Sequence, residues 1–252
     1  MTRAKFSDVS DPKSVGIEQQ RTFYDGLWAD VSSIEPNSHE VARLCAMLPL
    51  LETVSADRTA PRRVLEVGCG RGWLSGLVLS RFGEVTAFDL SDGAVAKARD
   101  AFPEIWFEVR DVFDSPVAEG HDLVVASEVI EHVGDQPRFM ELLVDAVDVG
   151  GYVLLTTPNA RLWKRWSREP TFRPQPLENW LTPRQLRQLV SDRCEIVCQS
   201  TTFFDVGHDG VYRLVNNAIT RRMHRLGRRD PLPLLLGRAG LGLYQVILGK
   251  RR

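Results

Sequence analysis

Five short apolar runs, largely β-branched, punctuate the first two-thirds of the chain at Arg63–Val67, Glu84–Phe88, Ile105–Val109, Leu123–Ala126 and Tyr152–Thr156. Between most of them lie segments with helical spacing of apolar residues, at 72–82, 92–101 and 136–147. Strand runs that are apolar throughout, rather than alternating, predict a sheet covered on both faces. Strands that alternate with helices at this interval predict βαβ units, hence a doubly wound, mostly parallel α/β sheet. Two helical patterns precede the first strand, at 17–30 and 38–54, with Asn37 or Ser38 placed to cap the second. After Thr157-Pro158 the rhythm breaks. Residues 159–181, rich in Trp, Arg and Pro, predict a long loop or lid. Thr182-Pro183 then opens a helix, 194–204 reads as a strand, 209–227 as a basic helix and 243–249 as a last strand.

At 252 residues the chain predicts one domain with embellishments. Residues 1–16 read as a loose N-terminus and 17–252 as a single domain. Within it the expected parts are a helical cap at 17–60, a core at 61–158, a lid at 159–181 and a basic helical insertion at 205–241 before the last strand. Net charge is −1 but unevenly placed: residues 208–252 carry ten Lys/Arg against two Asp, a net of +8, which leaves −9 for the rest. The run Arg221, Arg222, Arg225, Arg228, Arg229, followed by apolar residues, suggests docking on an anionic membrane surface. No nucleic-acid module is recognisable, and no stretch is long and apolar enough to span a bilayer. Four cysteines without a framework spacing, and an N-terminus without a signal-peptide core, predict a cytoplasmic protein, peripheral to the inner face of a membrane if the basic run docks there.

Chemistry first shows in Val64–Gly72, where a strand ending in Glu66-Val67 runs into Gly68-Cys69-Gly70-Arg71-Gly72 and then a helix. Glycines let backbone approach a ligand closely, and the following helix offers unpaired amides. A dinucleotide loop would need glycine at position 73, where this chain has Trp73. Asp89 closes the second strand, where a carboxylate can accept ribose hydroxyls. Asp111 follows the third, where it could receive an adenine amino group. Either Asp could instead cap the next helix, although Ser91-Asp92 already supply a cap after strand two.

These segments, with Phe88–Ser91, His121–Val133 and Gly150–Asn159, resemble the successive motifs of class I S-adenosylmethionine (SAM)-dependent methyltransferases. Glu128-Val-Ile-Glu131-His132 is similar to the E-x-x-E-H run of the ubiquinone-pathway O-methyltransferases and their relatives. The resemblance implies a seven-stranded Rossmann-like sheet with the last strand antiparallel and SAM as cofactor. It also implies roles: Glu66, Gly68, Cys69 and Gly70 along the methionine and ribose portions, and Asp89 with Leu90 at the ribose. Asp111 and Val112 would face the adenine, Ser127 would contact the cofactor through its backbone, and Arg43 would pair with the SAM carboxylate. Arg43 could equally be an ordinary surface charge.

Glu128, Glu131 and His132 fall at i, i+3 and i+4, so one helical turn would gather them on one side. His132 could act as general base toward a hydroxyl acceptor. Alternatively, all three could hold Mg²⁺, Mn²⁺ or Zn²⁺ to acidify that hydroxyl, or simply brace a loop. Trp163, Arg165 and Trp166 could cover a planar, sugar-like or phosphorylated acceptor, whether a small molecule or one linked to a lipid or carrier, or else only anchor the lid. An NAD-dependent oxidoreductase, a non-catalytic SAM-binding scaffold, and transfer to nitrogen or carbon are the competing readings.

Overall fold

A computed structural model of the chain describes residues 16–31, 33–57, 62–114, 117, 119–166, 175–203 and 232–252, with the side chains of 164–166 and 232–234 excepted. Residues 1–15 of the N-terminus expected to be loose, the middle of the expected lid, and the expected basic helix at 209–227 with the run at 221–229 therefore lie outside the described residues, as do the side chains of Arg165 and Trp166.

Seven strands form one open sheet: β1 (Arg63–Val67), β2 (Glu84–Asp89), β3 (Trp106–Val109), β4 (His121–Ser127), β5 (Val147–Pro158), β6 (Cys194–Thr202) and β7 (Tyr244–Arg251). Their order is β3-β2-β1-β4-β5-β7-β6, and β7 alone runs antiparallel to its neighbours β5 and β6. This is the expected seven-stranded, Rossmann-like sheet. Successive residues of a strand point to opposite faces, and the core divides accordingly. Val64, Leu123 and Val125 belong to one apolar cluster, which includes Met47, Leu51, Leu74 and Val95. Leu65, Val124 and Ala126 belong to the other, which includes Phe139, Leu143 and Leu186. Each such fully buried Leu, Val or Phe stabilises the fold by about 1.5–3 kcal/mol, which explains why the strand runs carry no polar alternation.

The helices are α1 (Ile17–Ala29), α2 (Ser38–Asp57), α3 (Trp73–Leu77), α4 (Asp92–Ala101), α5 (Gln136–Asp145), α6 (Ala160–Trp166) and α7 (Pro183–Ser191), with a further turn of helix at Leu232–Arg238. Their starts follow cap chemistry. Ser91 accepts the Ala94 amide, Asp135 accepts that of Arg138, and Thr182 and Gln185 form a reciprocal capping box, an arrangement worth about 1 kcal/mol.

Two expectations need correction. The helix expected at 72–82 stops at Leu77, and a 3-10 turn follows at Leu79–Arg81. The Phe102 ring presses where a Gly76 side chain would stand, so glycine, a poor helix former, is required inside this short element. Residues 159–181 are not loop throughout, because Ala160–Trp166 is helical. Asn159 fixes that start by accepting the Arg161 amide while its side chain donates to the Gly240 and Gly242 carbonyls.

Candidate active site

The carboxyl ends of β1, β2, β4 and β5 open into a cavity of about 600 Å³, a volume suited to a cofactor and a small acceptor. Its first half is built from backbone. The amides of Gly68 and Cys69 both donate to the Phe88 carbonyl at 2.8 and 2.9 Å, fastening the glycine loop to the end of β2. Asp89 completes the join: one carboxylate oxygen accepts the Gly70 amide at 2.7 Å and the other the Ser91 amide at 2.9 Å. Gly68 and Gly70 have φ of 76° and 52°, a region costly for other residues. A Cβ on Gly70 would also stand 2.7 Å from the Trp28 ring. The loop is thus a preformed cradle whose walls need the absence of side chains.

Glu66 lies beneath it, 2% exposed, and accepts a hydrogen bond from Ser75. Burial, opposed by that hydrogen bond, pushes its carboxyl up to about 8. Burial likewise raises Asp89 above the usual carboxylate range, against the pull of the Ser91 and Gly70 amides. Asp111 accepts the Phe113 amide at 2.9 Å, so it does brace a turn, yet it also lines the cavity with Val112, Leu90, Cys69 and Ser127. Arg43 is not a surface charge. Its side chain is 12% exposed, 3.8 Å from the Glu128 carboxylate and stacked over the Tyr244 ring at 4.7 Å.

The second half is assembled at the end of β4. Glu128 does not share a helical turn with Glu131 and His132. It leaves the strand with φ of 59°, and only Ile130–His132 forms a 3-10 turn. The Glu128 amide donates to the Thr156 carbonyl and its carboxylate accepts the Thr156 hydroxyl, both at 3.0 Å. Glu131, 1% exposed, accepts the Thr157 hydroxyl at 2.9 Å. Burial raises both Glu128 and Glu131 to about 7, offset at Glu128 first by Arg43 and at Glu131 first by a backbone amide and the Thr157 hydroxyl. His132 Nδ1 lies 2.8 Å from the Leu177 carbonyl. A carbonyl can only accept, so Nδ1 carries the proton and Nε2 holds the lone pair of the neutral ring. Burial depresses the imidazole below its ordinary value, and Nε2 is 3.7 Å from Glu131 Oε1. Among the described residues no three His, Cys, Asp or Glu side chains gather into a metal-binding group. The Glu128 and Glu131 carboxylates are held instead by the hydroxyls of Thr156 and Thr157.

Trp163 lines the cavity and neighbours Trp180 and Tyr244 at ring distances of 6.4 and 5.4 Å. Tyr24, Trp28, Glu178 and Tyr244 also line the cavity and were not expected from the sequence. For Tyr24 and Trp28 a signal existed, since Ile17, Gln20, Tyr24, Leu27 and Trp28 recur at helical spacing along the face of α1 that meets the cavity. That helix is clasped to α4. Asp25 accepts from the Ser91 hydroxyl and Gly93 amide at 2.6 and 3.2 Å, and Lys97 donates to the Trp28 and Val31 carbonyls at 2.5 and 2.6 Å. Tyr244 carried no local signal, because it reaches the site only through the antiparallel pairing of β7.

The sheet order, the glycine cradle and the strand-end carboxylates define the fold of SAM-dependent methyltransferases. Residues 38–193 match the family described as methyltransferase domain, and the chain belongs to it. A probable SAM-dependent methyltransferase of Mycobacterium tuberculosis is 29% identical over 158 residues, 62% of this chain and 54% of that protein. A ubiquinone biosynthesis O-methyltransferase of Alkalilimnicola ehrlichii is 35% identical over 104 residues, covering 39% of this chain and 42% of that protein. The chain spans about half the length of the first curated relatives it matches. Among solved structures, a magnesium protoporphyrin IX methyltransferase from Synechocystis with bound SAM superposes with a TM-score of 0.60 at 13% identity, covering 98% of this chain and 100% of that one. An N-methyltransferase from Bradyrhizobium japonicum does so with 0.56 at 14% identity, covering 93% and 96%.

Proposed function

We propose that the protein is a SAM-dependent O-methyltransferase in which His132 removes the proton of an acceptor hydroxyl. The observation that carries the reading is the fixed tautomer of His132, whose Nε2 is free to accept a proton in the cavity formed by the glycine cradle. The cofactor would supply the sulfonium methyl group and the leaving thioether; the chain supplies alignment and a base. Asp89 would hold the ribose, Asp111 and Val112 the adenine, and Arg43 the methionine carboxylate. Glu66, Gly68, Cys69, Gly70, Leu90 and Ser127 would complete the cofactor wall. Nε2 of His132 would take the proton of the acceptor hydroxyl. The imidazolium that forms is stabilised by Glu131, 3.7 Å away.

The acceptor would occupy the space between Tyr24, Trp163, Trp180 and Tyr244. Aromatic faces beside Glu128, Glu131 and Glu178 suit a planar, uncharged hydroxyl compound better than an anion. Tyr24 and Tyr244, their phenols held well above the ordinary value by burial, stay protonated; the Tyr244 hydroxyl is engaged with His39 Nδ1 at 2.9 Å, and Tyr24 can donate to the acceptor's oxygens. Trp166 and Arg165, which follow Trp163 in the sequence, would help to cover the acceptor. The basic run at 221–229 supports, through its charge, an acceptor carried at an anionic surface.

A panel of planar phenols and catechols, with release of S-adenosylhomocysteine measured by chromatography, tests the reaction. Transfer to amines but to no hydroxyl compound would overturn the O-methylation. Flotation with anionic vesicles tests the surface reading, and no salt-sensitive association would end it.

A further inference from the structure

The segment Gln175–Trp180 belongs to neither helix nor strand, yet it is stitched to the turn that carries the proposed base. The Asn179 amide donates to the Glu131 carbonyl at 2.6 Å, and the Asn179 side chain to the Val133 carbonyl at 3.4 Å. From the start of α5, Gln136 Nε2 donates to the Ile130 carbonyl and to the Asn179 carbonyl, both at 2.8 Å. Two residues before Asn179, buried Leu177 presents its carbonyl to His132 Nδ1. One side-chain amide thus joins the turn that carries His132 to the segment that holds the His132 ring.

The chemistry of the join is specific. Gln136 meets two acceptors, and a primary amide has two protons for them. A carboxylate of the same size has none, and would face both carbonyls as an acceptor only. The orientation of a histidine ring, and which nitrogen keeps the proton, is set by the hydrogen bond its other nitrogen makes.

We infer that Gln136 is a positioning residue, which clasps the 177–179 segment to the Ile130–His132 turn and thereby holds His132 as the Nδ1–H tautomer with Nε2 as proton acceptor. This rests on His132 being the base proposed above, but the clasp is testable without any acceptor.

Gln136→Glu is the sharp variant. A carboxylate in the first turn of α5 suits the helix dipole, while Asp135 still caps that helix, so the fold is retained as the clasp is broken. Gln136→Met, of similar length and without donors, is the second variant. Long-range ¹H–¹⁵N NMR of histidine-labelled protein, saturated with S-adenosylhomocysteine, reads the His132 tautomer directly. The expected result is a single Nδ1–H form in the parent and a mixture with Nε2–H in both variants, with S-adenosylhomocysteine affinity changed by less than about threefold. Methyl transfer should fall about 10- to 100-fold, mainly in kcat. A pure Nδ1–H form in both variants would overturn the inference. A tautomer shift with unchanged turnover would uphold the clasp and remove His132 as the base.

Discussion

The two halves of the cavity are made in different ways. The half proposed for the cofactor is mostly local in sequence: Glu66 to Val112 supply the cradle, its floor and both strand-end carboxylates, backbone amides lock them together, and only Arg43 and Ser127 join from elsewhere. The acceptor half draws on α1, the turn after β4, the end of β5, the segment before α7 and the first residue of β7. The first needs glycines in left-handed conformations and carboxylates at strand ends. The second needs buried side chains whose charges are adjusted by their neighbours. On the proposed function, such a site would hold its cofactor by local geometry and direct its chemistry by tertiary packing.

Removing the base should separate the halves most strongly. His132→Ala is expected to leave SAM affinity within about threefold and to lower turnover by roughly 10²–10⁴-fold. A turnover loss below about threefold in single-turnover assays would end the role of His132. Next in size, Asp89→Ala removes the acceptor of the Gly70 and Ser91 amides. Hydrogen bonds to a charged group contribute about 1.5–3 kcal/mol each, so calorimetry should show SAM binding weakened by at least about 10-fold. Unchanged affinity would mean the cofactor lies elsewhere.

What the sequence made legible follows the same division. Strand runs, their order of appearance and the position of the glycine loop, Asp89 and Asp111 at the strand ends were readable, because a β-strand, a glycine loop and a terminal carboxylate lie within a few residues of each other. The grouping of Glu128 with Glu131 and His132 on one helical turn was wrong. No periodicity reveals that Glu128 adopts φ of 59° and turns to Thr156. Tyr244 and Glu178 were invisible for a related reason: each enters through a pairing or a stitch made far along the chain. Arg43 was ambiguous in sequence, and its stacking on Tyr244 is a tertiary fact.

A third expectation concerns the buried carboxylates. Glu66 has a folded-state value of about 8 against an ordinary one of 4.5. Its contribution is therefore complete below pH 4.5 and is lost as pH rises through about 8, by up to about 1.4 kcal/mol per pH unit in between. Glu128 and Glu131 act in the same direction up to about 7. His132, depressed by burial, acts oppositely below its ordinary value of 6.5. In cofactor-free protein Glu66→Gln should flatten the alkaline decline of Tm between pH 6.5 and 8. An identical decline in parent and variant would show that Glu66 ionises freely.

The smallest effect expected is at Glu128. Left-handed backbone at a residue other than glycine costs about 1 kcal/mol or more. Glu128→Gly should relieve it, offset by loss of the Thr156 contact, for a net change within about 1 kcal/mol in urea unfolding. Activity should fall, because Arg43 would lose its 3.8 Å partner. A large destabilisation would show that the strained conformation is held by more than Thr156.

The most direct measurement is calorimetric titration of the parent protein and Asp89→Ala with SAM, S-adenosylhomocysteine and NAD. One site per chain is expected for SAM and S-adenosylhomocysteine, weakened in Asp89→Ala, and no binding of NAD. Binding of NAD, or SAM binding indifferent to Asp89, would contradict the proposed cofactor site.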